Sequence, residues 1–117
     1  MKSRFQPEEG WVLPADGIEI EKCGVDINVR FLESVIEEGQ PLQVECEELN
    51  LRHPLFYGDL VSAIIRSRYS DDSMQAIINN HLLGDEDPEH LHAYQEMQDW
   101  RVTAKAQAKL ILNKLDN

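Results

Sequence analysis

GIEIEKCGVDINVRF, residues 17–31, decides the fold class. Ile18 and Ile20 alternate with Glu19 and Glu21, and Val25, Ile27, Val29 and Phe31 alternate with Asp26, Asn28 and Arg30. Successive side chains of an extended chain point to opposite faces. A period of two therefore predicts strands with one face buried and one wet. Gly24 lies between the two runs, where a tight reversal needs a permissive backbone. The stretch reads as a β-hairpin with an acidic outer face.

The pattern weakens on both sides of this hairpin. Residues 1–16 hold Pro7, Gly10 and Pro14 among polar side chains and read as an extended arm. Its Phe5, Trp11 and Leu13 are set either against a neighbouring subunit or, the favoured reading, back on the arm's own sheet. After the hairpin, LESVIEEGQPLQVECEEL is ambiguous. Leu32, Val35 and Ile36 have helical spacing, with Gly39 as a C-cap. The same residues 32–39 also continue a strand into a turn at Glu38-Gly39. Beyond Pro41, Leu42, Val44 and Cys46 alternate with Gln43, Glu45 and Glu47, which predicts a further strand. The expected sheet is antiparallel, with about three strands.

Beyond Asn50 the period becomes 3.6. Leu60, Val61, Ile64, Ile65 and Tyr69 form one stripe of a helix expected over 54–69. Ser70 is a natural N-cap for a second helix, and Asp71 and Asp72 complement its dipole. Met74, Ile77, Ile78 and Leu82 form its stripe, and Gly84 ends it. Asp87, Pro88 and Glu89 supply the N-cap, N1 and first-turn acid of a third helix. No Pro or Gly interrupts it before Leu115, so about 28 residues span roughly 42 Å. Its stripe is Leu91, Tyr94, Met97, Ala104, Ala108, Ile111 and Leu115, with Trp100 beside it. Lys105, Lys109 and Lys114 suit its C-terminal end, and Ala104 and Ala108 permit close helix approach. The fold class expected is thus α+β in a single domain, 1–117: an arm (1–16), a β-rich acidic part (17–48) and a helical part (54–115).

Charge narrows the function. The 117 residues carry 22 acidic and 11 basic side chains, a formal −11. The first fifty residues hold 12 acids and 4 bases, −8, and the remainder 10 and 7, −3. Such a chain is not drawn to nucleic acid or anionic membrane and suits a basic partner. No run approaches the ~20 apolar residues of a membrane helix, and the N-terminus lacks the apolar core of a signal peptide. The expected compartment is cytoplasmic, with Cys23 and Cys46 as free thiols.

The candidate chemical clusters read better as structure. His81, His90 and His92 lie among Asp85, Glu86, Asp87 and Glu89, but His90 and His92 are two apart, about 200° around a helix. A helical metal pair needs a spacing of three or four. The cluster is a helix end followed by a helix start. Glu19 with Glu21, and Glu45 with Glu47, share strand faces as solvated pairs. The two short helices resemble a helix-turn-helix only loosely, since the second has no Lys or Arg and begins with two aspartates. No phosphate loop, nucleophile elbow or Cys/His zinc set is present in the sequence. No catalytic, cofactor-binding or metal residue is assigned, and a non-enzyme is expected.

RYSDDSMQAIINNHLLGDEDPEHLHAYQEMQDWRVTAKAQAKLIL, Arg68 to Leu112, resembles segments of small proteins encoded in phage and prophage genomes. The resemblance rests on a Tyr-Ser-acidic start, an Ile-Asn-Asn helix and a Tyr…Trp-Arg…Ala-Lys helix. It implies a virion or tail-associated accessory role, in the cytoplasm or the virion, and no catalytic residue. Two functions are expected from the sequence. In the first, a structural or interaction protein pairs with a protein partner or itself through the long helix. Tyr94, Met97, Trp100, Ala104, Ala108, Ile111 and Leu115 are then its core or interface stripe. In the second, an acidic inhibitor mimics nucleic acid and presents Glu19, Glu21, Asp26, Glu45, Glu47 and Glu48 to a basic partner.

Overall fold

The computed structural model describes residues 2–36, 43–84 and 86–115. Its elements are β1 (Lys2–Phe5), β2 (Glu19–Cys23), β3 (Asp26–Ile36), β4 (Gln43–Arg52), α1 (Tyr57–Arg66), α2 (Asp71–Leu82) and α3 (Pro88–Leu115). The strands form one antiparallel sheet in the order β1-β4-β3-β2. The fold is α+β. The chain divides into two compact units: a sheet unit, Met1–Phe56 with Leu110–Asn117, and a helical unit, Tyr57–Lys109.

The sheet has four strands where the sequence pattern gives three. The additional one, β1, comes from the arm. Lys2, Ser3 and Arg4 have no apolar alternation, which hides the strand. It is matched instead to its neighbour: Lys2 stands opposite Glu47, Arg4 opposite Glu45 and Phe5 opposite Val44. Lys2 Nζ also reaches Glu45 Oε1 at 3.1 Å. Charge complementarity across strands supports this pairing without leaving a periodic mark on one segment.

The expected hairpin is present. Cys23 pairs with Asp26, leaving Gly24 and Val25 as a two-residue turn. Gly24 has φ +62° at the first turn position, which a tight hairpin of this kind reserves for glycine. Residues 32–36 continue β3, which settles the strand reading as far as Ile36. Gly39, Pro41 and Leu42, on which the turn and the next alternation rest, lie outside the described residues.

A bulge explains the helix-like spacing at Leu32, Val35 and Ile36. Phe31 pairs with Glu47, but Ser34 pairs with Glu45, so β3 carries one extra residue. Leu32 takes φ +54°, an uncommon conformation for a branched side chain, to accommodate it. One added residue reverses the facing of everything that follows. Before the bulge, buried Ile27, Val29 and Phe31 face the same side as Leu51, Leu49 and Glu47. After it, Val35 stands opposite buried Val44.

The helical unit follows its local signals. Ser70 caps α2, its Oγ accepting from Ser73 N at 3.1 Å. Gly84 N donates to His81 O at the other end. Asp87 accepts from Glu89 N at 2.9 Å as α3 begins. The first helix is shorter than the expected 54–69, because α1 starts at Tyr57. Ser67, Arg68 and Tyr69 close its end as a turn, donating to Ala63 and Ile65. Leu60, Val61 and Ile64 are buried. Trp100 of α3 is buried too, and its indole N–H donates to Ile64 O at 3.2 Å. The Arg68 guanidinium covers the same ring at 3.7 Å.

Candidate functional site

The stripe predicted on the long helix is largely interior. Met97, Trp100, Ala104, Ala108 and Ile111 are buried within the single chain, and Tyr94 and Leu115 are half-buried. The large apolar side chains of α3 left exposed are Leu91, Val102 and Leu110, none of them among these seven. α3 belongs to the helical unit up to Lys109 and to the sheet unit from Leu110 onward.

The histidines are put to separate tasks. His81 stacks flat on Tyr94, ring centroids 3.7 Å apart and planes 3° from parallel. His92 meets Glu96 at 2.9 Å, one turn along α3. Among the described residues no three His, Cys, Asp or Glu side chains are placed to hold a metal ion. Asp85, part of the sequence cluster, lies outside the described residues.

The six carboxylates expected on one acidic face are divided by the sheet register. Glu19 pairs with Arg30, Glu21 with Asn28, Asp26 with Arg52 and Glu48 with Arg30, so these four acids share a face. Glu45 and Glu47 point to the other side, where Glu47 is buried opposite Phe31. The acids are also engaged within the chain. Asn28 donates to Glu48 at 2.9 Å, and this bond is the main reason the Glu48 carboxyl lies below its ordinary range. Asp26 meets Arg52 at 3.6 Å. The alternation of residues 43–47 does mark inside and outside, but β4 buries Val44 and Cys46 on one face and Glu47 on the other.

The most organised site lies in the sheet unit, where the arm crosses β2 and β3. Trp11 follows a turn in which its N–H donates to Glu8 O at 3.1 Å. Its indole N–H donates to Glu19 Oε1 at 3.0 Å. The Trp11 and Phe5 rings meet edge to face, 5.9 Å between centroids. The Arg30 guanidinium lies over Phe5 at 4.4 Å and stands opposite Glu19 in the sheet. These four side chains are linked in a row by three contacts: carboxylate, indole, phenyl, guanidinium. They wall an open groove of about 560 Å³, rimmed by Glu8 and Glu9.

Behind Glu19 is Glu33. Its side chain is 7 % exposed, and neither carboxyl oxygen receives a hydrogen bond. Glycine is required here. Gly17 has φ +69° and accepts from Glu33 N at 3.0 Å, and a Cβ on it would come 3.2 Å from that nitrogen. Burial, then a bond to the Glu19 carboxylate and its charge, push Glu33 up to about 8, against the pull of Arg30 and Lys114. This shift favours the neutral form of Glu33 at pH 7.

No family model, curated protein or solved structure matches this chain.

The groups around the pair are held in place. Lys114 Nζ donates to Asp16 Oδ1 at 3.2 Å and to Ile18 O. Desolvation opposes ionisation of Asp16, but the Ile18 N–H and Lys114 outweigh it and hold the carboxyl below its ordinary range. The Cys46 thiol is pushed up to about 11, first by burial and then by Glu33 and Glu48. It is not a thiolate at neutral pH and has no nucleophilic character there. Cys23 is exposed, and both thiols are free.

Sequence reading missed the groove and Glu33. The available signals were two aromatic residues in a polar arm and a single acid inside the apolar run FLESVI. What the site can do follows from its composition. Carboxylates beside aromatic edges and faces accept a cationic side chain, and a neutral buried acid stores a proton.

Proposed function

We infer that the protein is a non-enzymatic interaction protein that docks a basic segment of a protein partner. The observation that carries this reading is the groove between Phe5 and Trp11. It sets two aromatic rings beside Glu8, Glu9 and Glu19 in a chain of net charge −11. A lysine or arginine side chain laid there gains carboxylate and ring contacts together, while the surrounding negative field speeds its approach. Arg30 over Phe5 is an internal example of the same recognition.

This reading replaces the long helix as the docking surface, because burial already occupies most of its stripe. It also stands above mimicry of nucleic acid. A mimic needs a free row of carboxylates on one face, whereas Asp26, Glu45 and Glu48 bind groups of their own chain and the register sends Glu45 and Glu47 to the other side. An accessory role in phage assembly, in the cytoplasm or the virion, is supported by the resemblance over residues 68–112. No described helix is long and apolar enough to cross a membrane.

Calorimetric titration with a flexible Lys/Arg-rich peptide tests the reading. Saturable binding that weakens about tenfold in Trp11→Ala supports it. Binding that is equal for a charge-reversed peptide, or unchanged in Trp11→Ala, overturns it.

A further inference from the structure

Glu33 is the one buried acid whose two carboxyl oxygens lack any hydrogen-bond donor among the described residues. A bare carboxylate in that position is costly, and a protonated one is not. Its neighbour is the carboxyl of Glu19, which also holds the Trp11 indole and lines the groove. We propose that Glu33 and Glu19 hold one proton between them at neutral pH, and that its release strengthens the groove's grip on a basic segment. The part about the grip rests on the docking reading above; the shared proton does not.

The step is a simple ionisation. The Glu33 O–H bond breaks, the proton passes to solvent, and the electron pair stays on the carboxyl. Two adjacent anions then replace an acid–carboxylate pair. Glu19 loses the donor behind it, and the repulsion drives its charge toward Trp11 and the groove. The groups facing Glu33 are Glu19 on β2, Arg30 on its own strand, Cys46 on β4 and Lys114 at the end of α3. Asp16 is bound to Lys114, and Glu48 lies beyond Cys46. Arg30 and Lys114 favour the ionised form of Glu33, while its burial and Glu19 oppose it and prevail. Ionisation is thus delayed into the mildly alkaline range, to about pH 8. One extra negative charge about 10 Å from a bound cation strengthens binding about two- to fourfold.

The free protein decides the first point by NMR, through the Glu33 side-chain carboxyl carbon and the Trp11 indole N–H. Both are expected to titrate together near pH 8, with the Trp100 indole unmoved and the Trp11 step absent in Glu33→Gln. A Glu33 carbon that titrates between pH 4 and 5, or a Trp11 step that survives in Glu33→Gln, overturns the proposal. The second point is read by titrating the Lys/Arg-rich peptide at pH 6.5 and 9. The wild type is expected to gain two- to fourfold at the higher pH and Glu33→Gln to stay level, and equal gains in both proteins overturn the coupling. A peptide that binds at neither pH overturns the docking reading and with it the coupling, and the carbon titration still decides the shared proton.

Discussion

The sheet unit and the helical unit are built on different kinds of information. In the helical unit the helix boundaries are set locally. Ser70 caps α2 three residues from its partner amide, Gly84 ends it, and Asp87 with Pro88 starts α3. In the sheet unit the decisive partners are far apart in sequence. Lys2 meets Glu45, Trp11 meets Glu19, and Asp16 meets Lys114. Among the described residues, the helical unit leaves one neutral amide oxygen, Gln107 Oε1, buried without a donor. The sheet unit leaves one acid, Glu33, buried without a donor.

The largest effect should come from the helical unit. Trp100→Ala removes a buried ring, takes one of two donors from the Ile64 carbonyl, leaving the Ser67 hydroxyl, and removes the surface from under Arg68. A loss of about 3–5 kcal/mol is expected in denaturant melts. A loss below about 1 kcal/mol would mean that this ring does not anchor α1 to α3.

Glu33→Gln should be next, and its effect depends on pH. The folded-state pKa is raised from an ordinary 4.5 to about 8. The fold binds this proton more tightly than the unfolded chain. Its contribution is fully present below about pH 4.5 and is lost as pH rises through about 8. Wild type should therefore lose stability steadily from pH 5 to 9, and the glutamine variant should lose markedly less. Between those limits the two should separate by on the order of a few kcal/mol. Parallel pH profiles from thermal melts would contradict a buried neutral acid.

Smaller effects sharpen the contrast between local and distant information. Ser70→Ala removes a cap and should cost about 1 kcal/mol. Lys2→Ala removes an exposed ion pair and should cost no more than about 0.5 kcal/mol. If Lys2→Ala proves the more damaging, β1 is held by its charge far more than its exposure allows.

The same contrast explains what the sequence made legible. Periodicity and capping residues are properties of a few neighbouring positions. The hairpin at Gly24, the start of α2 at Ser70 and the whole of α3 were therefore readable. Strand β1 was not, because its specification lies in the acids of β4. The bulge at Leu32 was not, because one extra residue turns a strand pattern into helical spacing. The apolar stripe of α3 was visible as a stripe, but its burial inside the chain rather than against a partner is a three-dimensional fact. The acidic residues were visible as a charge, yet the register sends Glu45 and Glu47 away from the other four. The candidate site was the least legible part, since Phe5, Trp11, Glu19, Arg30 and Glu33 converge only once the arm folds back.

The central claim, that this convergence builds a docking site for a basic segment, is tested most directly by following both indole N–H resonances while a Lys/Arg-rich peptide is added. The account predicts that the Trp11 resonance shifts in a saturable way and that the Trp100 resonance stays in place. A shift at Trp100 with none at Trp11, or no shift at either while the peptide binds, would contradict it.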